Sequence, residues 1–278
     1  MAHLLKMTNT PLPNELLLIG GSSYPFKISG FGSDKKHVII KCNSRMVTVT
    51  VLNAKPNSIE QTLKLEVTGI IGAGFKAQIN AWLGSDPSKR DTSATVSITI
   101  EPRIKLPAED TEEGVVSRML LVENITPGQP AFISSQQTQA SMQCMVWVLR
   151  NRMTLGSHNF GTSQDVSSLM GLIKAKNQIA GFENYPAIAA SQNSLLNDIL
   201  KFANDASRPK CAVFRQYVRD AIGIANGSNP GTDPCPTKLY GWRTAGATSP
   251  GSNFVKFNTL GGQDFYTLTG NYVKSVSK

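Results

Sequence analysis

The stretch VSITIEPRIKLPAEDTEEGVVSRMLLVE, residues 96–123, decides how the chain is organised. Its first part alternates Val96, Ile98 and Ile100 with Ser97 and Thr99, which is the period of a half-buried strand. Two prolines then interrupt the pattern, and the apolar residues beyond them recur at helical spacing. The stretch therefore predicts a strand-rich first domain and a helical second domain, with the boundary near residue 105.

The residues upstream of this stretch repeat the strand pattern. Apolar and polar residues alternate in segments separated by Gly, Asn, Ser, Asp and Pro, namely 15–19, 37–41, 45–52, 61–68, 75–83 and 93–101. Short antiparallel strands between frequent turns are typical of an immunoglobulin-like β-sandwich, which usually binds or spaces. We predict that residues 1–105 form such a sandwich with a binding or adaptor role.

The residues downstream are predicted to form a mostly helical domain over 106–278. Asp110 and Glu113 make an N-cap and N3 pair that begins a helix ending near Glu123. A second helix, about 138–153, is apolar nearly all round, which suits a buried central helix. Further helices are predicted over 165–174 after a Ser163 cap, over 191–203, and from Pro209 to Gly227.

Composition restricts the classes of partner. The 278 residues suffice for two domains, and 28 Lys+Arg against 19 Asp+Glu leave a net charge of +9. The basic residues form no block and do not alternate with aromatics, so we expect no nucleic-acid binding, and a bacterial cell wall is a suitable anionic polymer.

No run approaches the roughly 18 apolar residues of a membrane span, and no signal peptide is evident. We expect a product made in the cytoplasm.

The cysteines and histidines show no metal-binding spacing. Cys42, Cys144, Cys211 and Cys235 form no CxxC pair, and His3, His37 and His158 are scattered. We therefore expect no metal and no cofactor. Cys211 and Cys235 flank a loop-rich region, so they either pair in an oxidising compartment or remain thiols.

Glu123 is the one carboxylate that the helical period places on a buried face near a helix C-terminus. Apolar surroundings and the negative end of the helix dipole both favour its protonated form, which is what a general acid for a glycosidic oxygen requires. The alternative is an acid that ends the helix and turns to water.

Three segments resemble those of the spore-cortex and cell-wall hydrolases: MLLVE at 119–123, SMQCMVWVLRNR at 141–152 and NQIAGF at 177–182. In that family a helix ending in the catalytic Glu precedes a helix closing with V-L-N-R and then a Q-F-S-G-F segment that lines the glycan cleft. The segment from Trp242 to Phe265 is similar to the family's end, so the resemblance covers about 112–270. Two departures are Val122-Glu123-Asn124 in place of Gly-Glu-Ala-Arg, and Ile179 in place of Phe.

The resemblance implies a lysozyme-like helical domain that cleaves peptidoglycan between MurNAc and GlcNAc, as a lytic transglycosylase or a muramidase, with Glu123 as general acid and base. Only one clear acid is present, which favours the transglycosylase type because a single Glu can then serve both steps. Glu183 and Asp165 are secondary acid candidates.

The predicted sugar-binding side chains are an amide and three aromatics. Aromatic faces stack on pyranose rings, and amides bridge their hydroxyl and acetamido groups. The candidates are Gln178, Tyr185, Tyr240 and Trp242. Core packing is the alternative for each aromatic.

Two other functions stay open at this point. A Cys/His peptidase acting on peptide stems would use Cys144 and His158, although Cys144 lies in mid-helix rather than at an N-terminus. A non-catalytic protein would bind the cell wall as a component of a phage or secretion apparatus.

A wall-degrading domain without a signal peptide suggests an antibacterial toxin. It would be a type VI secretion effector, secreted by a non-Sec route into a bacterial periplasm, or an enzyme released during phage lysis. The expected partners are peptidoglycan, a secretion-apparatus component and an immunity protein that plugs the cleft.

Overall fold

The computed structural model describes residues 3–29, 38–53, 61–67, 75–83, 95–227 and 231–277. Two units are present: Met1–Arg103 with Asn204–Cys211, and Ile104–Ala203 with Ala212–Lys278. Residues 37, 68 and 93–94 of the predicted strands lie outside the described residues.

The first unit is built from eight described strands in two four-stranded sheets. One sheet has the order β1-β3-β6-β5 and is antiparallel throughout. The other has the order β2-β8-β7-β4, in which β2 runs parallel to β8. The strands are β1 His3–Lys6, β2 Glu15–Ile19, β3 Ser23–Ser29, β4 Val38–Cys42, β5 Val47–Asn53, β6 Gln61–Val67, β7 Phe75–Leu83 and β8 Val96–Glu101.

The core of this unit is formed by apolar side chains that alternate with polar ones along the strands. In β8, Val96, Ile98 and Ile100 are buried while Ser97 is exposed, as the period of two requires. Both sheets contribute to a single buried apolar cluster that includes Phe26.

The second unit contains helices and a sheet. Its elements are α1 Glu112–Glu123, α2 Ser135–Leu155, a short 3-10 helix Ser157–Phe160, α3 Leu169–Lys174, α4 Ala190–Ala203, α5 Cys211–Ala225 (whose first residue belongs to the first unit), β9 Gly241–Thr244, β10 Phe254–Leu260, β11 Gln263–Leu268 and α6 Gly270–Val276.

Side-chain caps explain where two helices begin. Thr111 caps α1, because its Oγ1 accepts a hydrogen bond from the Gly114 amide at 3.0 Å. The prediction of Asp110 as the cap was one residue early. Ser168, rather than Ser163, caps α3 by accepting from the Gly171 amide.

α2 lies at the centre of the second unit. Its Met142, Met145, Val148 and Leu149 are fully buried and pack in the same apolar cluster as α1, α3, α4 and α5. Burial is concentrated in the middle of the helix, over residues 141–149, where most of its apolar residues lie.

A three-stranded antiparallel sheet of order β10-β11-β9 follows the helices. Its central strand, β11, is almost entirely buried, and Phe265 of β11 belongs to the main apolar cluster of the unit. The register places Trp242 opposite Phe265 and Arg243 opposite Asp264. The sheet is therefore a structural part of the unit that carries the helices.

The expectation of an immunoglobulin-like sandwich followed by a mostly helical lysozyme-like domain is wrong. The described residues form an α+β protein of six α-helices and three small sheets, one of them inside the second unit, and no clear immunoglobulin sandwich precedes a helical domain. Alternation identifies strands but does not determine which strands pair. The Gly-, Ser- and Thr-rich composition after residue 227 concealed β9, β10 and β11.

We predict that Gly114→Ala destabilises the second unit, although alanine has the higher helix propensity. A Cβ at this position would lie 1.8 Å from the Ala108 carbonyl oxygen, which is backbone and cannot rotate away. Overpacking typically costs about 1–3 kcal/mol, so we expect the free energy of unfolding to fall by about 2 kcal/mol in denaturant titrations. Gly270→Ala is the matched control, since no heavy atom lies within 4 Å of its added Cβ. Equal stability of the two variants would contradict the prediction.

Candidate active site

A cavity of about 400 Å³ opens in the second unit beside the C-terminal end of α1. Glu123 is the only acidic residue among its described lining residues, and Arg152 and Arg243 are the only basic ones. The remaining lining residues come from 159–160, 177–180, Trp242, Thr244, Pro250, Phe254 and Gln263. The cavity thus unites one carboxyl, two guanidinium groups and several aromatic rings.

Glu123 is the last residue of α1, and its carboxyl is largely removed from water. Burial raises the pKa of this carboxyl above its ordinary value. A hydrogen bond from the Trp242 side chain and the positive charge of Arg243 both oppose the rise. The net direction is upward, so the protonated form persists to higher pH than in a solvated glutamic acid.

The backbone around Glu123 is held from two directions. The Tyr217 hydroxyl on α5 donates to the Leu121 carbonyl at 2.8 Å, and the Gln263 side chain on β11 donates to the Glu123 carbonyl at 3.1 Å. These donors satisfy carbonyls that a helix terminus otherwise leaves without partners. Helix α5 and strand β11 therefore determine where the carboxyl lies.

Arg152, near the C-terminus of α2, is partly buried and lines the cavity. Its Nε donates to the Tyr240 carbonyl at 2.8 Å, and its Nη1 donates to Gln178 Oε1 at 3.1 Å. The guanidinium carbon lies 5.3 Å from the Phe160 ring centroid and 6.0 Å from that of Trp242, within the range of cation–π attraction. Burial lowers the pKa of Arg152 to about 10, and the charge of Arg243 acts in the same direction.

Gln178 is locked by hydrogen bonds at both ends of its amide. Its Oε1 accepts from Arg152, and its Nε2 donates to the Phe160 carbonyl at 2.7 Å. One N–H and one lone pair of the amide remain for a ligand. The side chain is thereby pre-oriented on the cavity wall.

The structure brings together only part of the predicted set. Glu123, Gln178 and Trp242 line the same cavity. Tyr240 does not line it, but the buried Tyr240 ring stacks on Phe160 at a centroid distance of 5.7 Å and so supports the wall from behind. Tyr185 lies elsewhere, buried against Phe182 at 5.9 Å.

Neither secondary acid candidate reaches the cavity. Glu183 is exposed and accepts from the Gly181 amide at 2.8 Å. Asp165 is exposed and contacts His158 Nδ1 at 2.7 Å, and hydrogen bonds from the His158 backbone and ring lower the pKa of Asp165. Both carboxyls therefore have local structural partners.

Sequence reasoning missed the two arginines and Phe160. Arg152 closes the VLRNR phrase that supported the family resemblance, and Arg243 follows Trp242 directly, yet neither received a role. A polar residue at the end of an apolar helix was the available signal for Arg152. Nothing in the local pattern indicates that the Phe160 ring contacts both Tyr240 and the Arg152 guanidinium.

The four cysteines, including Cys211 and Cys235, are free thiols in this structure. Cys144 is buried, and burial raises its pKa to about 12, with the charges of Asp233 and Cys235 acting in the same direction. His158 makes its ring contact with Asp165. Among the described residues no cluster of three or more His, Cys, Asp or Glu could hold a metal ion.

No α-helix in the described ranges combines the length and the apolar character needed to cross a membrane.

No known family profile and no curated protein matches the chain. Among solved structures it is similar to the titin M10–obscurin-like 1 immunoglobulin complex, with 12% identity and a TM-score of 0.22 over 38% of this chain and 97% of that chain. It is similar to the ZirS C-terminal domain, with 13% identity and a TM-score of 0.20 over 32% of this chain and 60% of that chain. For the secreted serine protease VesC from Vibrio cholerae the values are 8% and 0.24, over 39% and 24%. TM-scores this low do not establish a shared fold. The resemblance to cell-wall hydrolases stays a prediction.

We predict that Glu123→Gln stabilises the second unit at neutral pH but not at acidic pH. The raised pKa of Glu123 means that, as pH rises past the ordinary value near 4.3, the unfolded chain releases this proton before the folded protein does. The wild type therefore loses stability relative to the Gln variant until the pH exceeds the folded-state pKa.

Denaturant titrations followed by the helical circular dichroism signal at about pH 4 and pH 7.5 test this linkage. The control is Glu183→Gln, which replaces an exposed acid of the same type outside the cavity. A stability difference between wild type and Glu123→Gln that stays constant over this range would contradict the buried-carboxyl interpretation.

Proposed function

We propose that this protein cleaves the glycan strand of peptidoglycan between MurNAc and GlcNAc, as a lytic transglycosylase, with Glu123 as general acid and then general base. The observation that carries the proposal is the buried Glu123 carboxyl, with its raised pKa, in a cavity whose described lining includes no other acid. The proposal concerns the site and does not depend on a lysozyme-like fold.

The first step uses the protonated carboxyl. Glu123 donates its proton to the glycosidic oxygen as the bond from that oxygen to C1 of MurNAc breaks, and the GlcNAc product leaves with a free 4-hydroxyl. A pKa raised by burial keeps the proton on this carboxyl to higher pH than on a solvated glutamic acid, which favours its action as a general acid. Trp242 and Arg243, which favour the ionised form, then stabilise the carboxylate that results.

The second step uses the same group as a base. The Glu123 carboxylate removes the proton of the MurNAc 6-hydroxyl, whose oxygen bonds to C1 and closes a 1,6-anhydro ring. Hydrolysis by a retaining or inverting route requires a second carboxyl, about 5–10 Å away. Glu183 and Asp165 are not at the cavity, which favours the single-carboxyl route.

The walls suit a carbohydrate. The Trp242 and Phe254 rings offer faces for pyranose stacking, and Phe160 is held against Tyr240. Gln178, fixed by Arg152 and the Phe160 carbonyl, offers its remaining amide hydrogen to a sugar hydroxyl or acetamido group.

The substrate determines the place of action. Peptidoglycan lies outside the cytoplasmic membrane, so the proposed activity requires delivery to a bacterial periplasm, as by a type VI secretion apparatus or by phage lysis. A producer that meets its own toxin would need an immunity protein, and blocking the cavity near Glu123 would suffice for inhibition.

We predict that Glu123→Gln abolishes turnover while retaining glycan binding. The amide keeps the size of the side chain but cannot transfer the proton, and loss of general acid catalysis typically costs about 10²–10⁴-fold. Mass spectrometry of muropeptides released from purified sacculi should show 1,6-anhydro ends with the wild type and none with the variant.

The control for that experiment is Glu183→Gln, which removes an exposed acid of the same type and should leave product release unchanged. Reducing-end products would indicate a hydrolase, and binding without any product would indicate the non-catalytic wall-binding alternative. Wild-type release by a folded Glu123→Gln protein would eliminate the proposal.

A second prediction addresses the peptidase alternative. Cys144→Ala should keep nearly wild-type turnover, because a buried thiol with a pKa of about 12 supplies almost no thiolate near neutral pH. A modest loss of stability from the small cavity is expected. Cleaved peptide stems from the wild type, and their absence from a folded Cys144→Ala protein, would instead support a Cys peptidase.

A further inference from the structure

Two guanidinium groups share the cavity with a single carboxyl. Arg152 is partly buried near the end of α2, Arg243 is exposed on β9, and both line the cavity together with Glu123. When Glu123 holds its proton, the lining carries two positive charges and no negative one. Two like charges at one partly buried site repel each other, and an anion bound between them would relieve that repulsion.

Among the described residues, Arg152 has neutral partners only. The Tyr240 carbonyl and the Gln178 amide oxygen accept from it, and the Phe160 and Trp242 rings lie within cation–π range. A buried charge is normally paired with an opposite charge, because hydrogen bonds to neutral groups replace only part of the lost hydration.

Arg243 is free to meet a ligand. The residue opposite it in the sheet, Asp264, is buried and already engaged: Lys256 Nζ lies 2.7 Å from its Oδ1, Thr259 donates to it at 2.6 Å and the Gly246 amide donates at 3.0 Å. Arg243 and Glu123 form no direct ion pair in the described part of the chain, although the charge of Arg243 acts on the Glu123 carboxyl. The Arg243 guanidinium therefore lines the cavity without an ion pair among the described residues.

We propose that Arg152 and Arg243 form an anion subsite that binds a carboxylate of the glycan next to the bond being cleaved. Arg243 would contact the carboxylate through its paired N–H groups, and Arg152 would add a favourable field. This inference rests on the proposed function and deepens it by specifying the charge that the substrate carries.

Peptidoglycan offers carboxylates from two sources. One is the lactyl carboxylate on C3 of MurNAc, which is free only where the peptide stem has been removed, and the other is the set of carboxylates along the stem. Arg243 and Glu123 line the same cavity, and the charge of Arg243 acts on the Glu123 carboxyl, so the anion would lie close to the scissile oxygen. That proximity favours the lactyl carboxylate and hence stem-free strands as the substrate.

The test measures binding in the Glu123→Gln background, where no turnover interferes. The ligands are stem-free strands, made by amidase digestion of sacculi, and the same strands after their carboxylates are converted to amides. We expect the amidated strands to bind about tenfold more weakly or worse, the loss usual for one charge-assisted hydrogen bond. Adding Arg243→Gln should weaken binding of the native strands by a similar factor and remove most of the difference between the two ligands, leaving only the contribution of the Arg152 charge.

The matched control is Arg150→Gln, which removes the same charge two residues from Arg152. Arg150 stacks on Trp147 at 5.3 Å and does not line the cavity, so its loss should leave both affinities unchanged. Arg243→Lys, which keeps the charge without the planar fork, should recover part of the discrimination.

Equal binding of native and amidated strands by the Arg243-containing protein would overturn the subsite while leaving strand cleavage intact. Dependence on Arg243 for stem-bearing strands only would overturn the assignment to the lactyl carboxylate. Failure of the proposed function is a separate result, because it would show as release of 1,6-anhydro muropeptides by the Glu123→Gln protein.

Discussion

Burial of one carboxyl at the end of α1 is the constraint on which the rest of the site depends. A glutamic acid at the last turn of a helix can normally turn to water, but here Tyr217 and Gln263 hold the Leu121 and Glu123 carbonyls, so the terminus cannot fray without losing both hydrogen bonds. The carboxyl is thereby fixed in partial isolation from water, and its pKa rises. The chemistry proposed for it follows from that one placement.

The charges around this carboxyl act in opposing directions. Burial favours the acid, whereas Trp242 and Arg243 favour the carboxylate. The role that we propose for Glu123, first donating and then accepting a proton, would draw on both influences. Arg152 has a different role. Its side chain on α2 hydrogen-bonds the Tyr240 carbonyl and the Gln178 side chain, so one partly buried cation orients both groups. Together with Arg243, the same cation gives the described lining of the cavity more basic than acidic residues, which is the basis of the anion subsite that we propose.

Individual residues show how far local reasoning reached. The helical period of α1 predicts that Glu123 lies on the buried face of the helix. Gln178 and Trp242 are predicted sugar-binding residues, and both line the cavity with Glu123. The sequence also predicts Tyr185 as a pyranose-stacking aromatic, but the Tyr185 ring packs against Phe182 instead. Aromatic residues serve cores and binding sites through the same surface chemistry, so their type alone does not separate the two roles.

The sequence by itself determined the positions of most strands and helices, since periods of two and of 3.6 are local properties of the chain. It also determined that an acid ends α1 and that an apolar helix follows. Only the tertiary structure decided that β2 pairs in parallel with β8, that β9 to β11 join the helical unit, and that Arg152 and Arg243 meet at Glu123. The physical reason is that strand pairing, desolvation and the field of a distant charge depend on residues brought together from far apart in the chain, and no local pattern encodes those distances.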